Sequence, residues 1–357
     1  MKINQLLILL TFGLLALLLS ACTGSAAIAS SWPGLTAGGK IVYLAYNQHV
    51  YAINLSNGSE KWRFPAEADR AISFFAPPSL TLDGQVLVGG YNNTLYSLDS
   101  ENGQEKWKFQ GAKDRFIGSP LVTPDSIFAP AADGNLYALD LTGNLKWTFT
   151  TQAANWAKPS CDPECTCIFL PSMDHRLYSI DARDGNMLWK TDDLGGSIVG
   201  SPTLGPDNLV VVGTFASEVV AIDRQSGEVR WRAPTSGWIW GGPIFYEDRL
   251  YFGDLKGTFY ALDANSGELA WQLKPDGPIS ETPLVWQDTL YISTEVGTLY
   301  AVDLDGNIRW NKPIGGKLYT SAVGSGDLIL VSPLGSKELL FALDSNGNQK
   351  WVFTPEK

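Results

Sequence analysis

The chain is expected to be all-β: an eight-bladed β-propeller of four-stranded antiparallel blades. Three observations predict this. One short phrase ending in tryptophan occurs eight times, at Trp62, Trp107, Trp147, Trp189, Trp231, Trp271, Trp310 and Trp351. The successive spacings are 45, 40, 42, 42, 40, 39 and 41 residues, a period near forty that calls for a closed array of small sheets rather than a string of domains. Each tryptophan also has a glycine four residues before it: Gly58, Gly103, Gly143, Gly185, Gly227, Gly267, Gly306 and Gly347.

Each unit divides into four strands. The first starts near a proline, as in Gly118-Ser119-Pro120, Gly200-Ser201-Pro202, Gly241-Gly242-Pro243 and Glu281-Thr282-Pro283. Proline cannot donate to a ladder, so it suits the free inner edge of a blade, facing a central channel. The second strand is a continuous apolar run, such as Leu209-Val210-Val211-Val212 or Leu328-Ile329-Leu330-Val331. Such runs mean burial on both faces, as between two neighbouring blades. The third carries Tyr-Ala-Leu-Asp-like phrases. Residues such as Asn57 or Asp184 before the turn glycine favour the positive φ of a tight hairpin into the fourth, tryptophan-bearing strand. Counted from Ser31-Trp32-Pro33 as the first strand of blade one, eight units end at Trp351, so the ring closes without a borrowed strand. A permuted last blade is the alternative, because that opening strand is the poorest match.

The repeats resemble the pyrroloquinoline-quinone (PQQ)-type β-propeller family. Its tryptophan-docking motif, Ala-x-Asp-x-x-x-Gly-x-x-x-Trp, stands complete at Ala221, Asp223, Gly227 and Trp231, and again at Ala261, Asp263, Gly267 and Trp271. The copies at Asp140, Asp303 and Asp344 are one residue shorter before the glycine, and the first copy has Asn54 for Asp. The resemblance covers residues 32–357. It implies that each tryptophan docks on its own blade's alanine and against the next blade.

Residues 1–21 form an expected export signal, with Lys2 and then an apolar run from Leu6 to Leu19. Leu19-Ser20-Ala21-Cys22 resembles the bacterial lipobox, which implies cleavage before Cys22 and acylation of its thiol. Residues 22–31 would then be a lipidated tether. The nine residues from Thr23 to Ser31 reach about 30 Å at most. A plain secretory signal cut after the Ser25–Ala29 stretch is the alternative. Thr23, in place of the Asp that family rules tie to inner-membrane retention, points to the outer membrane where there is one, and otherwise to the outer surface of the cytoplasmic membrane.

The net charge of −11 and the lack of basic runs exclude a nucleic-acid partner. Cys161, Cys165 and Cys167 are expected to form one bridge, from Cys161 to Cys165 or to Cys167, with one thiol left over. No histidine or second cysteine cluster accompanies them, so no metal site is expected. The two histidines, His49 and His175, fall in separate blades as turn residues, and no catalytic motif appears.

Aromatic residues in the connections into first strands are the candidate binding rim: Phe74, Phe75, Phe116, Trp156, Trp238, Trp240 and Tyr319. They either line the mouth of the channel or pack between blades. Three functional readings compete. The signal-plus-lipobox layout resembles the propeller lipoprotein of the outer-membrane β-barrel assembly machinery. That implies a monomeric, non-catalytic, membrane-anchored scaffold for a protein partner in the cell envelope. The same repeat occurs in quinoprotein alcohol dehydrogenases, which implies PQQ and calcium. Those enzymes' adjacent-cysteine pair is missing, and none of their catalytic positions carries over. A small-ligand sensor is the third reading.

Overall fold

A computed structural model describes residues 31–356; the signal, Cys22 and the tether up to Ser30 lie outside the described residues. Eight four-stranded antiparallel sheets form, each from four consecutive strands. Blade one comprises Gly34–Gly38, Ile41–Tyr46, His49–Asn54 and Glu60–Phe64. Blades two to eight follow at 79–109, 121–150, 160–190, 203–234, 244–273, 284–313 and 323–353. No strand is borrowed. The opening strand starts at Gly34, just after the Ser31-Trp32-Pro33 stretch expected to form it. That stretch instead lies against the ends of blades one and eight, with the Ser31 N–H donating to Asn47 and the Pro33 carbonyl accepting from Thr320.

The core is not central. It is divided into eight apolar clusters, one between each pair of neighbouring blades. Strand periodicity explains this, since successive side chains point to opposite faces. In blade five Val210, Val212, Val220 and Ile222 meet Phe169 and Leu177 of blade four. Their alternates Val211, Val219 and Ala221 meet Leu250, Phe252 and Tyr260 of blade six. The continuous apolar runs are therefore two half-cores interleaved. The last cluster joins Leu35, Leu44 and Ile53 of blade one to Leu330, Leu340 and Phe353 of blade eight, which closes the ring. At the axis the Thr320 hydroxyl donates to the Pro33 carbonyl across the same seam.

The tryptophans sit on these seams. Each pairs in register with a small residue of its own third strand, as Ala221 with Trp231 and Ser97 with Trp107. Its indole covers the turn glycine of the next blade: Trp62 over Gly103, Trp231 over Gly267, and Trp351 round the seam over Gly58. All eight turn glycines have positive φ, from 74° to 91°. Seven of the indoles donate Nε1–H to a carbonyl of that same turn, for example Trp62 to Ser100 (3.0 Å), Trp271 to Leu304 (2.9 Å) and Trp351 to Leu55 (2.9 Å). The acceptor is always the residue directly after the turn's Asp or Asn. The short and long turns therefore present the same carbonyl. Asp223 shows how the turn is held: hydrogen bonds from Arg230, then from the Ser226 backbone N–H, keep its carboxyl down at about 2.

Only Trp62 is fully buried; the other seven indoles are half-buried because the outer strand leaves one edge in water. Trp231 differs in having no partner for its Nε1. Trp271→Phe is therefore expected to cost about 1 kcal/mol more than Trp231→Phe, since only the former leaves a carbonyl without its donor. Urea unfolding of the two variants measures the difference, and equal losses would mean the indole N–H contributes nothing.

Candidate functional site

Strand direction sorts the loops. The connections into first strands and the turns between second and third strands share one face, and the Asp–Gly turns lie on the other. On the first face, the connections converge on the axis around a channel of about 450 Å³. The prolines expected to face it are buried; the two residues before them line it, including Gly118, Ser119, Gly200, Ser201, Gly241 and Gly242. Packing here is tight. A Cβ on Gly200 would stand 2.6 Å from the Gly242 nitrogen, so the inner strands approach this closely only without side chains.

Two blades place a charge at one of these two small-residue positions, Lys158 one residue before its proline and Glu281 two before. Blade four has Ala157-Lys158-Pro159 and blade seven has Glu281-Thr282-Pro283, and both charged side chains line the channel. Burial lowers the Lys158 pKa. Burial also pushes Glu281 up to about 8, against an opposing hydrogen bond from the Ser321 hydroxyl at 3.4 Å; nearby Glu295 pushes the same way as burial. Glu281 is partly exposed to the channel, yet the protein around it keeps bulk solvent away and disfavours its charge. Beside it Ser280 is 5% exposed and its hydroxyl has no partner; the Trp156 Nε1, also on the channel wall, has none either.

Above Glu281 the channel opens into a second space of about 380 Å³, walled by Trp32, Trp240, Tyr319, Leu255, Leu334 and Glu295. Next to it an aromatic ledge continues outward. The Phe215 ring stacks on Trp238 (centroids 5.1 Å apart, 14° between planes) and also lies against Trp240 (5.4 Å, 36°). Trp238 is 53% exposed.

The rim residues thus separate into two sets. Trp156, Trp240 and Tyr319 face the channel or its mouth, and Trp238 faces solvent. Phe74, Phe75 and Phe116 do not form a rim: they are 0%, 3% and 1% exposed. Phe74 joins the core between blades one and two, and Phe116 that between two and three. Phe75 stacks on Tyr91 at 3.9 Å and meets the edge of Trp32 at 4.9 Å. The two connections that carry them run along the preceding blade's turn, as when Phe74 N–H donates to the Asn47 carbonyl and Phe116 N–H to the Gly90 carbonyl, and this turns their rings inward. Sequence reasoning did not single out Trp32, Lys158, Ser280, Glu295 or Phe215, and Glu281 stands there only as a charged residue that no motif picks out. For Lys158 and Glu281 a signal existed, a charge where most repeats hold Gly, Ser, Ala or Thr.

Cys161 is bonded to Cys165 (Cα–Cα 5.0 Å), and Cys167 is the free thiol among the described residues. His49 contacts the Pro65 carbonyl and His175 contacts Asp193, in separate blades. Among the described residues no three His, Cys, Asp or Glu side chains are grouped as a metal site.

A family model described as outer membrane protein assembly factor BamB matches residues 46–161, 173–284 and 273–357. Over 142 residues the chain is 31% identical to outer membrane protein assembly factor BamB of Shewanella oneidensis, covering 39% of this chain and 34% of that protein. Over 145 residues it is 28% identical to polyvinylalcohol dehydrogenase of Pseudomonas sp., covering 33% of this chain and 23% of that protein. The matched stretches thus span about a third or less of these curated relatives' own length. The crystal structure of BamB from Moraxella catarrhalis shares the fold with a TM-score of 0.69 at 17% identity, over 88% of this chain and 91% of that one. With all eight blades formed and most of their length matched by that one family model, the chain belongs to the family described as outer membrane protein assembly factor BamB.

Proposed function

We propose that this propeller is a non-catalytic scaffold, exported and held at the envelope membrane through a lipid on Cys22, that docks a protein partner in outer-membrane assembly. The observation that carries the reading is the ledge of Trp238, Phe215 and Trp240 on the face that gathers the blade connections. A half-exposed tryptophan stacked on a second ring is a preformed, low-entropy anchor for a partner's apolar segment. Family membership supplies the class of partner. The anchor rests on the lipobox-like Leu19-Ser20-Ala21-Cys22 alone.

Photocrosslinking tests this. With a photoreactive phenylalanine analogue at Trp238 in native envelopes, one discrete adduct containing an outer-membrane assembly component is expected. The same analogue at Leu145, exposed on the outer strand of blade three, is expected to give none. Adducts at Leu145 and none at Trp238 would reverse the assignment of the docking face. Cys22→Ser is expected to release the protein from the membrane fraction; retention there would remove the lipid anchor from the reading.

The quinone-dependent alternative does not find its donor set. A calcium-held quinone needs several oxygen ligands and counter-charges for an acidic planar ring. The channel carries one lysine opposite one carboxyl, and that carboxyl favours its neutral form.

A further inference from the structure

The mouth of the channel has a chemistry that docking a protein on the ledge does not use. Three aromatic side chains, Trp32, Trp240 and Tyr319, share one wall with two carboxyls, Glu281 and Glu295. Among the described residues, no lysine or arginine lines that space. At about 380 Å³ it lies in the size range of small-ligand sites. Ser280 supplies a buried hydroxyl without a partner on the same wall. We propose that this mouth, between blades six, seven, eight and one, binds a small alkylammonium compound, its cationic head among the aromatic rings and facing Glu281 and Glu295.

The physics discriminates between ligand charges. Aromatic faces attract cations through their quadrupole, most strongly where water is excluded. An anion entering the same space would meet two carboxyls on its wall. Tyr319 already has a cation beside its ring, because the Lys317 Nζ stands 5.7 Å from the ring centroid and donates to the hydroxyl at 3.3 Å. An entering ammonium head has the rings of Trp32 and Trp240, which line the same space, available to it.

Glu281 adds a proton linkage. Glu295, on the second-to-third-strand turn of blade seven, is the charged group that acts on it; Lys158 of blade four lines the same channel, and Lys317 stands beside Tyr319 at the entry to blade eight. Burial keeps its carboxyl up at about 8, so near neutrality it is mostly protonated. A cation favours the ionised form, so binding expels the proton. Affinity is then expected to climb as pH rises towards 8, by up to about tenfold per unit, and to level off above it.

Choline and its neutral carbon isostere 3,3-dimethylbutan-1-ol separate charge from shape. The full chain in detergent is titrated with each by tryptophan fluorescence and calorimetry at three pH values. Choline is expected to saturate and the alcohol to bind at least about tenfold more weakly. Glu281→Gln is expected to weaken choline and flatten its pH dependence, while Glu295→Gln weakens it and keeps the slope. Equal binding of choline and the alcohol, no saturation by choline, or an unchanged pH slope in folded Glu281→Gln would each overturn the proposal.

Discussion

Trp271→Ala is expected to lower the unfolding free energy by about 3 kcal/mol, the bottom of the range for removing a core aromatic, because this indole is half-buried. Three contacts go at once. The indole lies in register with Ala261 of its own blade. It covers Gly306 of the next blade, and its N–H reaches the Leu304 carbonyl at 2.9 Å. Behind it stand the rings of Tyr251 and Phe259, at 6.0 and 5.9 Å. A closed ring has no spare interface, so a seam weakened at one place weakens the cooperative unit. Denaturant unfolding measures the loss. Trp238→Ala is the control: a large but exposed aromatic outside every seam, expected to change stability by less than about 0.5 kcal/mol. Equal effects from the two would mean that the latch is decorative.

Gly267→Val is expected to cost about 3 kcal/mol for two separable reasons. The backbone there has φ of +74°, a region that β-branched residues enter only under strain. A Cβ would also stand 2.6 Å from Cε3 of Trp231, so the indole of blade five must leave its seat. Gly39 isolates the first cause. Its φ is +59°, and nothing lies within 4 Å of a Cβ built there. Gly39→Val should therefore show only the backbone part, about 1–2 kcal/mol. The excess at Gly267 measures the collision with the indole, and that excess should shrink in a Trp231→Ala background. If the two glycines respond alike, the indole does not rest on the turn.

Much of this was readable before any coordinates. The eight tryptophans and eight glycines follow a local rule, four residues apart across one hairpin, and local rules survive in sequence. Double-sided burial of Leu209–Val212 was readable for the same reason, since alternation and its absence are properties of a few neighbouring residues. The site was harder. Phe74 and Trp238 sit in equivalent connections and look alike on paper. One turns into a seam beside Asn47 and the other stacks outward on Phe215.

The repeat period and turn chemistry alone determine that this chain is a ring of eight blades, because each blade is specified by contacts within some forty residues. Closure of the ring decided the rest. It brought Trp32, from the start of the fold, beside Tyr319 near its end, and set Lys158 of blade four across a channel from Glu281 of blade seven. No local pattern records which residues meet at an axis. That placement comes from eight inner strands packing backbone to backbone, where a single charged side chain has nowhere to point but into the shared space.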